Sequence, residues 1–161
     1  MFRCTLILTL VLLGACICAA QSSGAPSKQE ITDLAHKADE QVTNFQRANQ
    51  LASSYISQAD FEKGMERSAS AHKAVAALSK SAATAYASTV LLIVLNELAL
   101  DAASHARAIY SKALSTAASG QTVNLNALSA ADSLTKAQSG LTEAAELLGH
   151  STLRLIAAEE K

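Results

Sequence analysis

The sequence predicts an all-α fold, an up-and-down bundle of about four amphipathic helices that follows a cleaved signal peptide. Three observations predict it. Alanine is abundant and β-branched residues are sparse. Pro26 is the only proline, so nothing after it forbids helix over long distances. Apolar residues recur at three- and four-residue steps, and in the last segment at a strict step of seven.

The chain opens with a single basic residue, Arg3, then an apolar run from Leu6 to Leu13 and the small residues Cys18, Ala19 and Ala20. This is the pattern of a secretory signal peptide over residues 1–20, with cleavage expected after Ala20. The apolar part is too short to serve as a permanent anchor. Leu13, Gly14, Ala15 and Cys16 also admit a second reading, a lipobox whose cysteine becomes acylated. Cys4, Cys16 and Cys18 all lie in the leader, so the secreted form is expected to have no disulfide and to depend on core burial.

Residues 21–27 read as a polar linker, and residues 28–161 as one helical domain. Ser27 with Glu30 three positions on forms a capping box for the first helix. Ile31, Leu34, Ala35, Ala38, Val42, Phe45, Ala48, Ala52, Tyr55, Ile56 and Ala59 supply its apolar face, which places the helix at roughly 28–58. A turn is expected between Ser57 and Gly64, with Asp60 as the next N-cap and Gly64 as the alternative stop. No strong breaker follows until Gly120, and one helix over that span would be about 80 Å long. A second turn is therefore placed near Ser79 to Ser81, giving helices at 61–79 and 82–118. Gly120 ends the third helix, and Asn124 or Asn126 caps a fourth over 126–158. In that helix Ala127, Leu134, Leu141, Leu148 and Leu155 stand at seven-residue intervals, alternating with small residues as close antiparallel packing requires.

Function is read mainly from what can be set aside. The net charge is −1 with scattered lysines and arginines, which disfavours nucleic acid and strongly anionic membranes as partners. Tryptophan is absent, and no Asn-x-Ser/Thr sequon occurs. Serines sit in Ala/Ser helical segments without a nucleophile elbow, so no enzyme activity and no cofactor are expected. Glu97, Asp101 and His105 stand four apart and could present metal ligands, but no second ligand pair matches them. They are expected to be surface acids with a flanking histidine. Of the four histidines, only His72 lies on an apolar stripe, where a core-edge position bonded to a neighbour is expected.

The run TVLLIVLNELALD, Thr89 to Asp101, is the most apolar stretch after the leader, yet only Val90 to Leu95 is apolar on every side. It reads as a central bundle layer and not as a fixed membrane span. The candidate face for a partner or hydrophobic ligand comprises Val90, Ile93, Val94, Leu134, Leu141, Leu148 and Leu155. Two functions follow as expectations. One is a secreted, non-enzymatic protein that binds an extracellular protein through a helix face, with self-association as one form of it. The other is an extracellular carrier of lipid or another hydrophobic ligand. In architecture and composition the chain resembles the exchangeable apolipoproteins of the insect apolipophorin-III type, and that resemblance implies a bundle that opens on a lipid surface.

Overall fold

The computed structural model describes residues 24–80 and 84–160. The expected signal peptide, Cys16 and the start of the linker lie outside the described residues, as does most of the connection between the second and third helices. Four helices are described: α1 Lys28–Ala52, α2 Gln58–Lys80, α3 Ala85–Ala118 and α4 Leu125–Glu159.

Each helix begins where a short polar side chain can take over an unpaired backbone donor. Ser27 Oγ accepts from Glu30 N at 3.1 Å, Thr84 Oγ1 from Ala87 N at 3.2 Å, and Asn124 Oδ1 from Asn126 N at 2.9 Å. The Glu30 carboxylate pairs with Arg154 of α4, so its charge ties two helices together. At the far end of α3, Gly120 adopts φ +70°. Its N–H and that of Gln121 donate to Ala117 and Thr116, closing the helix as a Schellman turn.

The first turn departs from the sequence reading. α1 stops at Ala52 and not near residue 58, so Tyr55 and Ile56 leave its apolar face and pack partly buried against the core from the connection. Ser57, not Asp60, starts α2: its hydroxyl accepts from Asp60 N at 3.1 Å and donates to the Asp60 carboxylate at 2.7 Å. Gly64 is no stop either. It lies buried inside α2, where a Cβ would come within 2.8 Å of the Asn49 amide nitrogen of α1. Gly140 of α4, half-buried, faces the other flank of α1, where an added Cβ would displace the carboxamide end of the Gln41 side chain.

Contacts order the helices as a ring. α1 lies between α2 and α4, α3 also lies between α2 and α4, and α1 meets α3 only across the diagonal. Cross-links fix every neighbouring pair as antiparallel: Asp39 to His72, Arg67 to Asp101, Ser88 to Thr152, and Lys37 to Glu143. The bundle therefore runs up, down, up, down. α3 and α4, with 34 and 35 residues, are about 50 Å long, whereas α1 and α2, with 25 and 23, are about 36 Å. The α3–α4 end carrying Gly120 thus projects about two turns past the α1–α2 connection.

The core runs along the ring axis, built from Ile31, Val42 and Phe45 of α1, Val75 and Leu78 of α2, Leu91, Leu95, Leu98 and Ile109 of α3, and Leu134, Leu141 and Leu148 of α4. Many helical hydroxyls satisfy themselves on the carbonyl four residues back, as Ser68, Thr89 and Thr152 do. This is how a serine-rich chain stays helical.

Candidate functional site

The residues singled out from the sequence lie on the neighbouring helices α3 and α4 but divide between core and surface. Leu134, Leu141, Leu148 and Leu155 are buried, the first two at 0% exposure. In the closed bundle the seven-residue stripe of α4 is core and faces no external partner. Val90 and Val94 are half-buried, while Ile93 is 54% exposed. The sequence-derived face is thus split, with its α4 half inside and its most accessible member on α3.

A different apolar face is present on α3. Tyr86, Ile93 and Leu100 are 79%, 54% and 70% exposed and stand seven residues apart, so they line one outer stripe about 21 Å long. Its flanking Thr89 and Asn96 donate to carbonyls of their own helix and carry no charge. Glu97, the only charged residue between Lys80 and Asp101, points toward α2, where Arg67 Nε lies 3.5 Å away. On α4, Leu153 and Ile156 are also exposed, level with the start of α3. α3 is the one described helix long and apolar enough to cross a membrane by length and composition, yet only 39% of its apolar 18-residue window is buried. Ala87, Leu92 and Val94 still pack partly against the core, while Tyr86, Ile93 and Leu100 are left exposed.

Behind this stripe, on the side of α3 that meets α2, lies a cluster of polar groups. Asp101 is 7% and His105 4% exposed, which corrects the expectation that both sit on the surface. Arg67 Nη1 stands 2.7 Å from each oxygen of the Asp101 carboxylate, and Lys63 Nζ stands 3.6 Å from one of them. With its negative charge so compensated, the carboxylate is tolerated in a low-dielectric position. Asn49 of α1 reaches the same level and donates to the Phe61 carbonyl of α2 at 3.0 Å. Two side-chain atoms here have no hydrogen-bond partner, Asn49 Oδ1 and His105 Nδ1. Burial pushes the His105 imidazole below its ordinary value; Asp101 and Asp60 oppose that shift and Lys63 adds to it.

Glu97, Asp101 and His105 do not converge as ligands, because the two carboxylates turn to Arg67. No group of three or more metal-ligating side chains is found among the described residues. His72 stands half-buried at the edge of the core, with Nδ1 2.7 Å from Asp39 Oδ1 and Nε2 3.3 Å from Gln46 Oε1. His36, Asp39 and His72 line a shallow groove between α1 and α2. The buried position of His105 was detectable: Leu91, Leu95, Leu98, Ala102, His105 and Ile109 alternate steps of four and three. The exposed stripe of Tyr86, Ile93 and Leu100 was equally regular, but an apolar run does not reveal which of its faces is outside.

Compared with protein-family models, with curated proteins and with solved structures, the chain finds no match.

Proposed function

We propose that the protein is a secreted, non-enzymatic binding module that docks an apolar helix of an extracellular partner protein along the outer face of α3. The observation that carries this reading is the charge-free stripe of Tyr86, Ile93 and Leu100. A spacing of seven suits a helix laid alongside, because knobs at that interval stay on one seam for several turns. Tyrosine at one end adds a large, rigid contact surface with a polar tip. The large apolar members of the sequence-derived face on α4 serve the core, so the role they were assigned passes to these three residues.

The experiment is a pull-down from the native extracellular fluid, with the wild type beside Ile93→Asp/Leu100→Asp. Both positions are exposed, so the double variant keeps the fold. A protein captured by the wild type and lost by the variant supports the reading. A strictly monomeric wild type that retains nothing removes it.

A second reading, a carrier of lipid or another hydrophobic ligand, is favoured by the unburied apolar surface of α3 and by the absence of cysteine in residues 21–161. No covalent link would then hold the helices closed against a lipid surface. Clearance of phosphatidylcholine vesicles by the wild type and the double variant alike would favour this reading over docking on α3.

A further inference from the structure

We propose that the seam between α2 and α3 is an acid-released latch that holds the two helical hairpins of the bundle together. The hairpins are α1–α2 and α3–α4. The lysine and arginine ion pairs described above all join one hairpin to the other: Lys63 and Arg67 to Asp101, Arg67 to Glu97, Lys37 to Glu143, and Arg154 to Glu30. Within the α3–α4 hairpin the polar links involve no lysine or arginine: a buried Ser88–Thr152 hydroxyl pair at 2.6 Å, the Glu159 carboxylate accepting from Ala85 N at 3.1 Å, and the Tyr110 hydroxyl donating to Asp132. Ion pairs therefore govern how the hairpins meet, whereas bonds with a neutral donor and apolar packing govern how α3 and α4 pair.

His105 sits one turn from Asp101 on the inner side of this seam, buried with Nδ1 unpartnered. Around it, its own helix offers Asp101, and α2 offers Asp60, Lys63 and Arg67. α1 offers the uncharged Asn49, and α4 offers the apolar Leu134, Ala137 and Leu141 at this level, with its nearby charges Asp132 and Lys136 exposed. A neutral imidazole leaves the Arg67–Asp101 pair intact. A second ring proton turns both nitrogens into donors and adds a positive charge where Lys63 and Arg67 already occupy the one buried carboxylate. The imidazolium then either competes with Arg67 for Asp101 or escapes to water, and both movements separate α2 from α3.

The direction follows from linkage. The ring is held below 6.5 in the closed bundle and returns toward 6.5 once exposed, so the open form binds the extra proton more readily. Closure is complete above about pH 6.5 and weakens as pH falls toward the closed-state value. Through that window the open population rises by up to roughly tenfold per pH unit. The latch stands whether or not the outer face of α3 takes a partner.

Hydrogen exchange between pH 7.5 and 5, corrected for intrinsic exchange, tests the latch on the wild type and on His105→Gln. We expect seam amides of α2 and α3 in the wild type to lose protection as pH falls, by up to roughly tenfold per unit, while amides near Ser88 and Thr152 change little. His105→Gln should be flat over the same range, and His36→Gln and His150→Gln should behave as the wild type. A flat wild-type profile overturns the proposal, as does an unchanged slope in His105→Gln. Should that variant fail to fold, an NMR titration of the wild-type imidazoles decides: His105 must titrate below 6.5, and a value at or above 6.5 overturns the latch.

Discussion

Arg67 and Asp101, on neighbouring antiparallel helices, meet with a single guanidinium nitrogen 2.7 Å from both carboxylate oxygens. The arginine side chain is 29% exposed and the aspartate 10%, so the pair is mostly withdrawn from water. Removing the cation alone leaves a desolvated charge. Arg67→Met should lower stability by about 2 kcal/mol, and the double variant Arg67→Met/Asp101→Leu should recover most of that loss. A denaturant melt of the four-member cycle checks this, and simple additivity of the two changes would show that the pair is not coupled.

Inside and outside positions of equal hydrophobicity should respond in opposite ways to a carboxylate. Leu141→Asp buries an unpaired charge in the middle of the core and should cost about 4 kcal/mol, a fall of roughly 10 °C or more in Tm. Leu100→Asp, at a position 70% exposed, should stay within about 0.5 kcal/mol of the wild type. Equal losses in the two variants would mean that one of these faces has been misassigned.

The helical glycines separate by what surrounds them. At Gly149 an added Cβ would make only ordinary contacts, 3.9 Å from Leu92, so Gly149→Ala should gain about 1 kcal/mol from helix propensity. At Gly64 the same methyl would press on Asn49, which is fully buried and bonded to the Phe61 carbonyl. Gly64→Ala should therefore lose about 1 kcal/mol despite its better propensity. Thermal melts of the two variants should move in opposite directions.

Tyr110 donates its hydroxyl to Asp132, and this bond holds the phenol above its ordinary value. A group raised in the folded state contributes stability below about pH 10 and loses it as pH rises through the folded-state value. Absorbance titration should show a late ionisation that disappears in Tyr110→Phe. The wild type should also lose its stability advantage over Tyr110→Phe in strong alkali, while Tyr86→Phe keeps the late transition.

Repetition was what made the fold legible. The series from Leu134 to Leu155 and the four-and-three steps of α1 each specify a buried face locally, without knowledge of the partner helix. Gly120 with Asn124 marked the last connection for a similar reason, since left-handed backbone and capping are single-residue requirements. The end of α1 was hidden because Tyr55 and Ile56 continue its periodicity while packing from a turn, and Ser53 and Ser54 do not break a helix strongly. The polar seam was illegible for another reason. Arg67 and Asp101 are 34 residues apart, and nothing at either position announces the other. Burial of Asp101 depends on that partner, so sequence alone assigned it to the surface.

The two close approaches of α1 have a consequence for its axial position. A leucine pattern that repeats every seven residues accepts a slide of seven almost as readily as the native alignment. Gly64 and Gly140 do not, because each gives room to one particular amide, Asn49 on one flank and Gln41 on the other. A slide of α1 by one heptad along α4 would set Gln41 against Leu147 or Ser133 in place of Gly140. Gly64 is the stricter keyway, because Asn49 is fully buried and bonded, whereas the end of Gln41 can swing aside; together they favour one register for α1 over the slides that its hydrophobic pattern alone would permit.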